Sequence, residues 1–149
     1  MSSADHPPRA QPAAPVHPVQ AAPVIAIVAG HGAFAMGMIS AVERISGAAQ
    51  RFHAVSNESL APDALTDALR TSVQRTGASV IFTDLPAGSC TTAARRVARE
   101  ISGLAVIAGA NLPILLHFAL APDFDTAAIV PAVIKARDAM VSFVEPAAR

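Results

Sequence analysis

His31 lies between two glycines, Gly30 and Gly32, at the end of an apolar run, Val24-Ile25-Ala26-Ile27-Val28-Ala29. A neutral imidazole carries one protonated and one free ring nitrogen, so it can act as a nucleophile once its tautomer is fixed. A carboxylate accepting from one nitrogen does that fixing. Asp84 is the candidate carboxylate, because it ends a second apolar run, Ser79–Thr83. If the free nitrogen attacks phosphorus, the ring gains positive character and Asp84 offsets it. Ser89 and the first N–H groups of the helix behind it, with Gly88 and Gly32, would then face the phosphoryl oxygens, since a helix start favours anions. A loop histidine with a structural role, and an aspartate that merely caps or turns, remain open on spacing alone.

The elements that must position these residues follow from the hydrophobic pattern. Continuous apolar runs suit parallel strands covered on both faces. Strands are expected at Val24–Ala29, Arg51–Val55, Ser79–Thr83 and Leu104–Ala108. Helices are expected at Phe34–Ser46 with Gly47 as C-cap, from Pro62-Asp63 to Gly77, and over Cys90–Ile101 with Ser89 as N-cap. Pro113 suits the first turn of a short helix, and a last helix begins near Asp125 or Thr126 and reaches toward Val141. Alternating strands and helices imply βαβ units, a parallel four-stranded sheet and an α/β three-layer sandwich. The expected strand order, 2-1-3-4, puts strands one and three together where the winding reverses. That topology brings His31 and Asp84 to one sheet edge.

Composition narrows the function classes. The 149 residues suffice for one domain, 52% are hydrophobic, and the formal net charge is zero. A nucleic-acid binder normally shows a basic excess. One cysteine excludes an internal disulfide and favours a reducing, cytoplasmic home. No apolar run approaches the ~18–20 residues of a membrane span, and the N-terminus does not read as a secretion signal. Six of the 12 prolines fall within residues 1–23. This Pro/Ala-rich stretch is expected to be a disordered tail, with the folded domain at 24–149. His6 and His17 lie inside it and are expected to be solvated.

Other polar residues read as bystanders. Cys90 and Arg96 have the spacing of a cysteine-dependent phosphatase loop, but Thr91-Thr92-Ala93-Ala94-Arg95 between them lacks glycine and reads as helix. His53, on a strand, reads as a surface or satisfied residue and His117, on a short helix, as packing; with His31 they are three scattered histidines with no Cys or carboxylate at ligand spacing along the chain, so no metal and no cofactor are expected. Arg95, Arg96 and Arg99 form a basic helix face whose simplest reading is solvation.

Three blocks of sequence resemble the enzyme IIA component of the mannose class of the bacterial phosphoenolpyruvate-dependent sugar phosphotransferase system. Val28-Ala29-Gly30-His31-Gly32-Ala33-Phe34-Ala35-Met36-Gly37-Met38 is similar to that family's strand, Gly-His-Gly and Phe-Ala-x-Gly start. Phe82-Thr83-Asp84-Leu85-Pro86-Ala87-Gly88-Ser89 is similar to its aspartate loop, Asp-x-x-Gly-Gly-Ser/Thr-Pro. Val106-Ile107-Ala108-Gly109-Ala110-Asn111-Leu112-Pro113 resembles its Gly-x-Asn-Leu/Ile-Pro segment. The chain departs from the pattern at Ala87, which replaces the first loop glycine, and at Cys90, which stands where proline is usual.

The resemblance implies that His31 is phosphorylated, that Asp84 is its hydrogen-bond partner and that Ser89 is a phosphate-side donor. It implies that phosphoryl arrives from the histidine phosphocarrier protein, HPr, and leaves to a IIB component that phosphorylates incoming sugar. Contact with the membrane would be indirect, through transporter subunits. It also implies a homodimer exchanging a short antiparallel strand, for which Met140–Val144 is the candidate. A rival is a regulatory module that uses phosphorylation of the same histidine as a signal. Another is the related phosphotransfer subunit of dihydroxyacetone kinase, whose histidine is typically followed by serine, so Gly32 argues against it.

Overall fold

The structure, a computed structural model, describes residues 26–121 and 129–138. Four parallel strands form one sheet in the order β2-β1-β3-β4, with β1 at Ala26–Gly30, β2 at Phe52–Ser56, β3 at Val80–Thr83 and β4 at Ala105–Ala108. Helices α1 (Phe34–Ser46), α2 (Pro62–Thr76), α3 (Ser89–Glu100) and α4 (Leu112–Leu120) follow the strands in turn, and α5 covers Ile129–Asp138. The expected fold class and strand order are therefore those of the molecule.

The period-two geometry of a strand divides the core into two layers. Ala26, Val28, Phe52, Val80 and Phe82 face one side, where Ala35 and Val42 of α1 and Ile114, Leu115 and Phe118 of α4 cover them. Ile27, Ala29, Val55 and Ile81 face the other, under Leu65, Leu69 and Val73 of α2 and Cys90, Ala94 and Val97 of α3. The segregation follows from right-handed crossovers. The chain winds one way from β1 to β2 and the opposite way through β3 and β4, so α1 lies on one face and α2 and α3 on the other. Phe82 and Phe118 meet edge to face at a centroid distance of 5.0 Å, a geometry worth roughly 0.5–1.5 kcal/mol beyond the area it buries.

Local chemistry sets the boundaries. α1 and α2 both stop at left-handed glycines, Gly47 and Gly77, whose N–H groups return to Glu43 and Val73. Pro113 stands in the first turn of α4, and Asn111 caps it by accepting from the Ile114 N–H at 2.9 Å. One cap differs from expectation. Gly88, extended at φ −169°, occupies the N-cap of α3, and Ser89 is its first helical residue. A short 3-10 turn at Ala49–Arg51 takes up Arg51, so β2 begins one residue later than expected. Val24 and Ile25, the tail at 1–23 and the Met140–Val144 segment lie outside the described residues, as do both expected ends of the last helix. Among the described residues no helix is long and apolar enough to cross a membrane.

Candidate functional site

Parallel pairing sets Ala29 of β1 opposite Thr83 of β3. The residues that follow, His31 and Asp84, therefore emerge side by side at the carboxyl edge of the sheet. The Asp84 N–H donates to the Ala29 carbonyl at 3.2 Å, which carries the β1–β3 ladder one step past the strands. Gly32 turns the chain at φ 51°, a left-handed angle that a side chain would strain. Just behind it the Phe34 N–H donates to the His31 carbonyl at 3.0 Å and α1 begins.

One carboxylate oxygen holds His31 twice. Asp84 Oδ2 accepts the His31 backbone N–H at 2.8 Å and lies 2.6 Å from ring Nδ1. Its other oxygen, Oδ1, accepts the Leu85 N–H at 2.9 Å. An ionised carboxylate only accepts, so Nδ1 is the protonated nitrogen and Nε2 carries the free lone pair. Burial by itself would raise the Asp84 carboxyl. The hydrogen bonds from the His31 ring, the His31 backbone and Leu85, with the attraction of the ring whenever it is protonated, outweigh it and hold the group below its ordinary value. The Asp84 side chain is only 9% exposed, whereas that of His31 is 52% exposed. The ring is thus oriented by hydrogen bonds and open to solvent.

The start of α3 offers groups able to meet an anion. Ser89 Oγ accepts from Asn57 Nδ2 at 3.0 Å and so retains its own proton to donate. Gly88 borders the ring, and a Cβ there would lie in ordinary contact, 3.9 Å from His31 Cε1. Of the residues expected from sequence, His31, Asp84 and Gly88 are brought together, Gly32 supplies the turn, and Ser89 sits at the first turn of α3. Asn57 and Ser56 were not anticipated. Ser56 Oγ donates to the Gly32 carbonyl at 3.1 Å, and the Asn57 N–H donates to the Gly30 carbonyl at 3.1 Å, so the end of β2 braces the His31 loop. Their signal was available, since β2 adjoins β1 and its carboxyl end must fall at the same edge.

A buried hydroxyl relay fixes the Asp84 loop from beneath. Thr91 Oγ1 donates to the Leu85 carbonyl at 2.5 Å, so the Thr83 hydroxyl, 2.6 Å away, must be the donor to Thr91. Both threonines are fully buried.

The decoys resolve by placement. Cys90 is buried in α3, and Arg96 two turns along bonds Asp63 at 3.2 Å, so the pair forms no anion loop. His53 on β2 accepts from Arg75 through Nε2 at 2.9 Å, and burial followed by that guanidinium lowers its pKa. His117 meets Phe118 edge to face. No histidine has a cysteine or carboxylate at ligand spacing along the chain, yet the fold brings three possible ligands together. Ligating atoms of His31, Asp84 and Cys90 all lie within 4.8 Å of one another. Spacing along the chain did not reveal this, because β1, β3 and α3 bring the three together only in the fold.

Comparison with known proteins agrees with this architecture. No curated protein matches the sequence. Among solved structures, the mannose/sorbose-specific IIA subunit of the phosphotransferase system from Enterococcus faecalis superposes with a TM-score of 0.70 at 16% identity, covering 86% of this chain and all (100%) of that one. The phosphotransferase system component EIIA from Streptococcus agalactiae gives 0.70 at 21% identity, covering 79% and 95%. A putative phosphoenolpyruvate-dependent sugar phosphotransferase system permease from Klebsiella pneumoniae gives 0.67 at 25% identity, covering 83% and 93%. The model of the EIIA-man family, described as the PTS system fructose IIA component, matches residues 25–135. Because that family model spans most of the sequence and the sheet order is that of the similar structures, the chain belongs to the EIIA-man family of sugar phosphotransferase system components.

Proposed function

We propose that the protein is a phosphohistidine carrier in which His31 Nε2 accepts a phosphoryl group from HPr and passes it to a IIB component. The observation that carries this reading is the 2.6 Å bond between His31 Nδ1 and Asp84 Oδ2 on a ring that is 52% exposed. It leaves one nitrogen nucleophilic, aimed outward and reachable by another macromolecule. In the transfer, the lone pair of Nε2 forms a bond to phosphorus as the donor's P–N bond breaks, and the donor ring keeps that electron pair. The His31 ring becomes cationic in character, and the Asp84 carboxylate offsets the charge without taking the Nδ1 proton. Ser89 and the N–H groups at the start of α3, opened by Gly88, receive the phosphoryl oxygens. The transfer is by positioning and electrostatics, between side chains of two proteins.

The carrier works in the cytoplasm as a homodimer, in contact with the membrane only through its transporter partners. Incubation with phosphoenolpyruvate, enzyme I and HPr, followed by mass-spectrometric mapping of acid-labile phosphate, tests the assignment. Label is expected on His31, lost in His31→Ala and retained in Cys90→Ala. Label persisting in His31→Ala refutes it.

A further inference from the structure

We propose that His31, Asp84 and Cys90 form a binding site for a thiophilic divalent cation such as Zn²⁺, and that metal and phosphoryl exclude each other on His31. The second half rests on the phosphocarrier reading; the binding itself does not.

The donor set is imidazole, carboxylate and thiol, which together suit Zn²⁺ or Co²⁺ and not Mg²⁺ or Ca²⁺. A ligating atom from each residue lies within 4.8 Å of the other two. Tetrahedral zinc with a Zn–S bond of about 2.3 Å and Zn–N and Zn–O bonds of about 2.0–2.1 Å needs ligand atoms roughly 3.5 Å apart. The His31–Asp84 pair, now at 2.6 Å, opens by under about 1 Å as the ion takes the place of the shared proton, and Cys90 Sγ, within 4.8 Å, closes in by up to about 1.3 Å. Cys90 is fully buried beneath the pair, whereas His31 is half exposed, so the ion enters from the ring side and a water completes the coordination. Cys90 occupies the position at which the family pattern has proline, so the site is a property of this chain.

Proton balance gives the consequence. A thiol ligates a metal as its thiolate, so Cys90 reaches the ion only without its proton. Metal binding releases that proton, giving thiolate. At His31 the metal takes the Nδ1 lone pair, so the ring's single proton moves from Nδ1 to Nε2 and none is lost. Nε2–H has no lone pair for phosphorus, and the loaded ring accepts no phosphoryl group. Conversely, phosphorylation at Nε2 leaves the proton on Nδ1 and closes the metal site.

The test uses the full chain, reduced and titrated with Co²⁺. One thiolate-to-cobalt charge-transfer band per chain is expected, with one proton released per ion and loss of the band on adding Zn²⁺. Cys90→Ala is expected to abolish the band and to weaken Zn²⁺ binding by more than about 100-fold, beyond the cost of losing an outer partner. His31→Ala, at an exposed position that does not burden folding, abolishes the band as well. Zn²⁺ is expected to block phosphorylation of the wild type by HPr, reversibly on chelation, and to leave Cys90→Ala phosphorylated at the same concentration. No band, or a band that survives either substitution, means an adventitious ion only and overturns the site. Equal sensitivity of wild type and Cys90→Ala to Zn²⁺ overturns the exclusion. A Cys90-dependent band in a protein that HPr never phosphorylates refutes the carrier reading and leaves the metal site standing.

Discussion

Asp84→Asn isolates the charge of the orienting group from its shape. In the wild type, Oδ2 accepts the His31 backbone N–H and the Nδ1 proton at 2.8 and 2.6 Å, and Oδ1 accepts the Leu85 N–H at 2.9 Å. An amide has one acceptor and one donor end, so no orientation satisfies all three. With its oxygen toward His31, the amide keeps both bonds there and turns its NH2 against the Leu85 N–H. The Nδ1 bond is then to a neutral acceptor. Hydrogen bonds to charged groups are worth about 1.5–3 kcal/mol and neutral ones about 0.5–1.5, so the imidazolium formed during transfer loses roughly 1–2 kcal/mol. At 1.36 kcal/mol per decade, this slows phosphoryl acceptance about tenfold. The fraction of molecules with the amide reversed donates to Nδ1 and drives the proton to Nε2, pushing the loss toward about a hundredfold. Rapid-quench transfer from phosphorylated HPr measures the rate, and circular dichroism checks that the fold is kept. An acceptance rate unchanged within about twofold would show that the carboxylate does not act on the ring in the way argued.

Thr91→Val removes the donor to the part-buried Leu85 carbonyl and the acceptor of the buried Thr83 hydroxyl; a loss of about 1–3 kcal/mol in urea unfolding is expected, and a cost within error would dismiss the relay. Gly30→Ala places a Cβ 2.4 Å from Phe34 Cδ1 and 3.0 Å from Phe34 Cβ, which the first turn of α1 must yield to accommodate. It is expected to cost about 1–3 kcal/mol and to lower transfer through His31, and a variant as stable and active as the parent would contradict that crowding. His53 is held below its ordinary value of 6.5 by burial and Arg75, so the folded state binds fewer protons than the unfolded one. Its contribution to stability is complete above pH 6.5 and is lost as pH falls through the folded value; His53→Gln, still able to accept from Arg75, should flatten the stability curve below pH 6.5, and parallel curves would show that His53 does not set it.

Much of the site was readable because it depends on topology, and topology depends on pattern. The apolar runs ending at Ala29 and Thr83 give two buried parallel strands, and the reversal of winding makes them neighbours. From there His31 and Asp84 can only emerge together. The family resemblance added the chemical identity of the edge, which pattern alone does not carry. What escaped depends on side-chain direction. Thr83 and Thr91 look like ordinary β-branched filler, and only their burial beneath Leu85 makes them a relay. Cys90 reads as a small helix-start residue. It becomes a neighbour of His31 because Gly88, and not Ser89, takes the extended N-cap position and so sets the phase of the first turn of α3. Asn57 reaches Ser89 across the mouth of the site, a contact between two loops that no local periodicity records.

The double use of Asp84 Oδ2 explains how a half-exposed ring can be a defined nucleophile. In the proposed carrier role the same nitrogen is shown to two partners in turn, so packing cannot fix the ring without hiding it. A free exposed ring would instead spend part of each encounter in the wrong rotamer or tautomer, and ordering a buried or clamped side chain costs up to about 2 kcal/mol. Here a single carboxylate oxygen grips His31 at backbone N–H and at Nδ1, so the residue is held at two points of its own length while its side chain stays half exposed. The carboxylate is in turn fixed by the Leu85 N–H, and Leu85 by Thr91 in the buried layer below. Rigidity therefore passes from the core to the ring through hydrogen bonds alone, and whatever neutralises or captures Asp84 frees the ring from that chain.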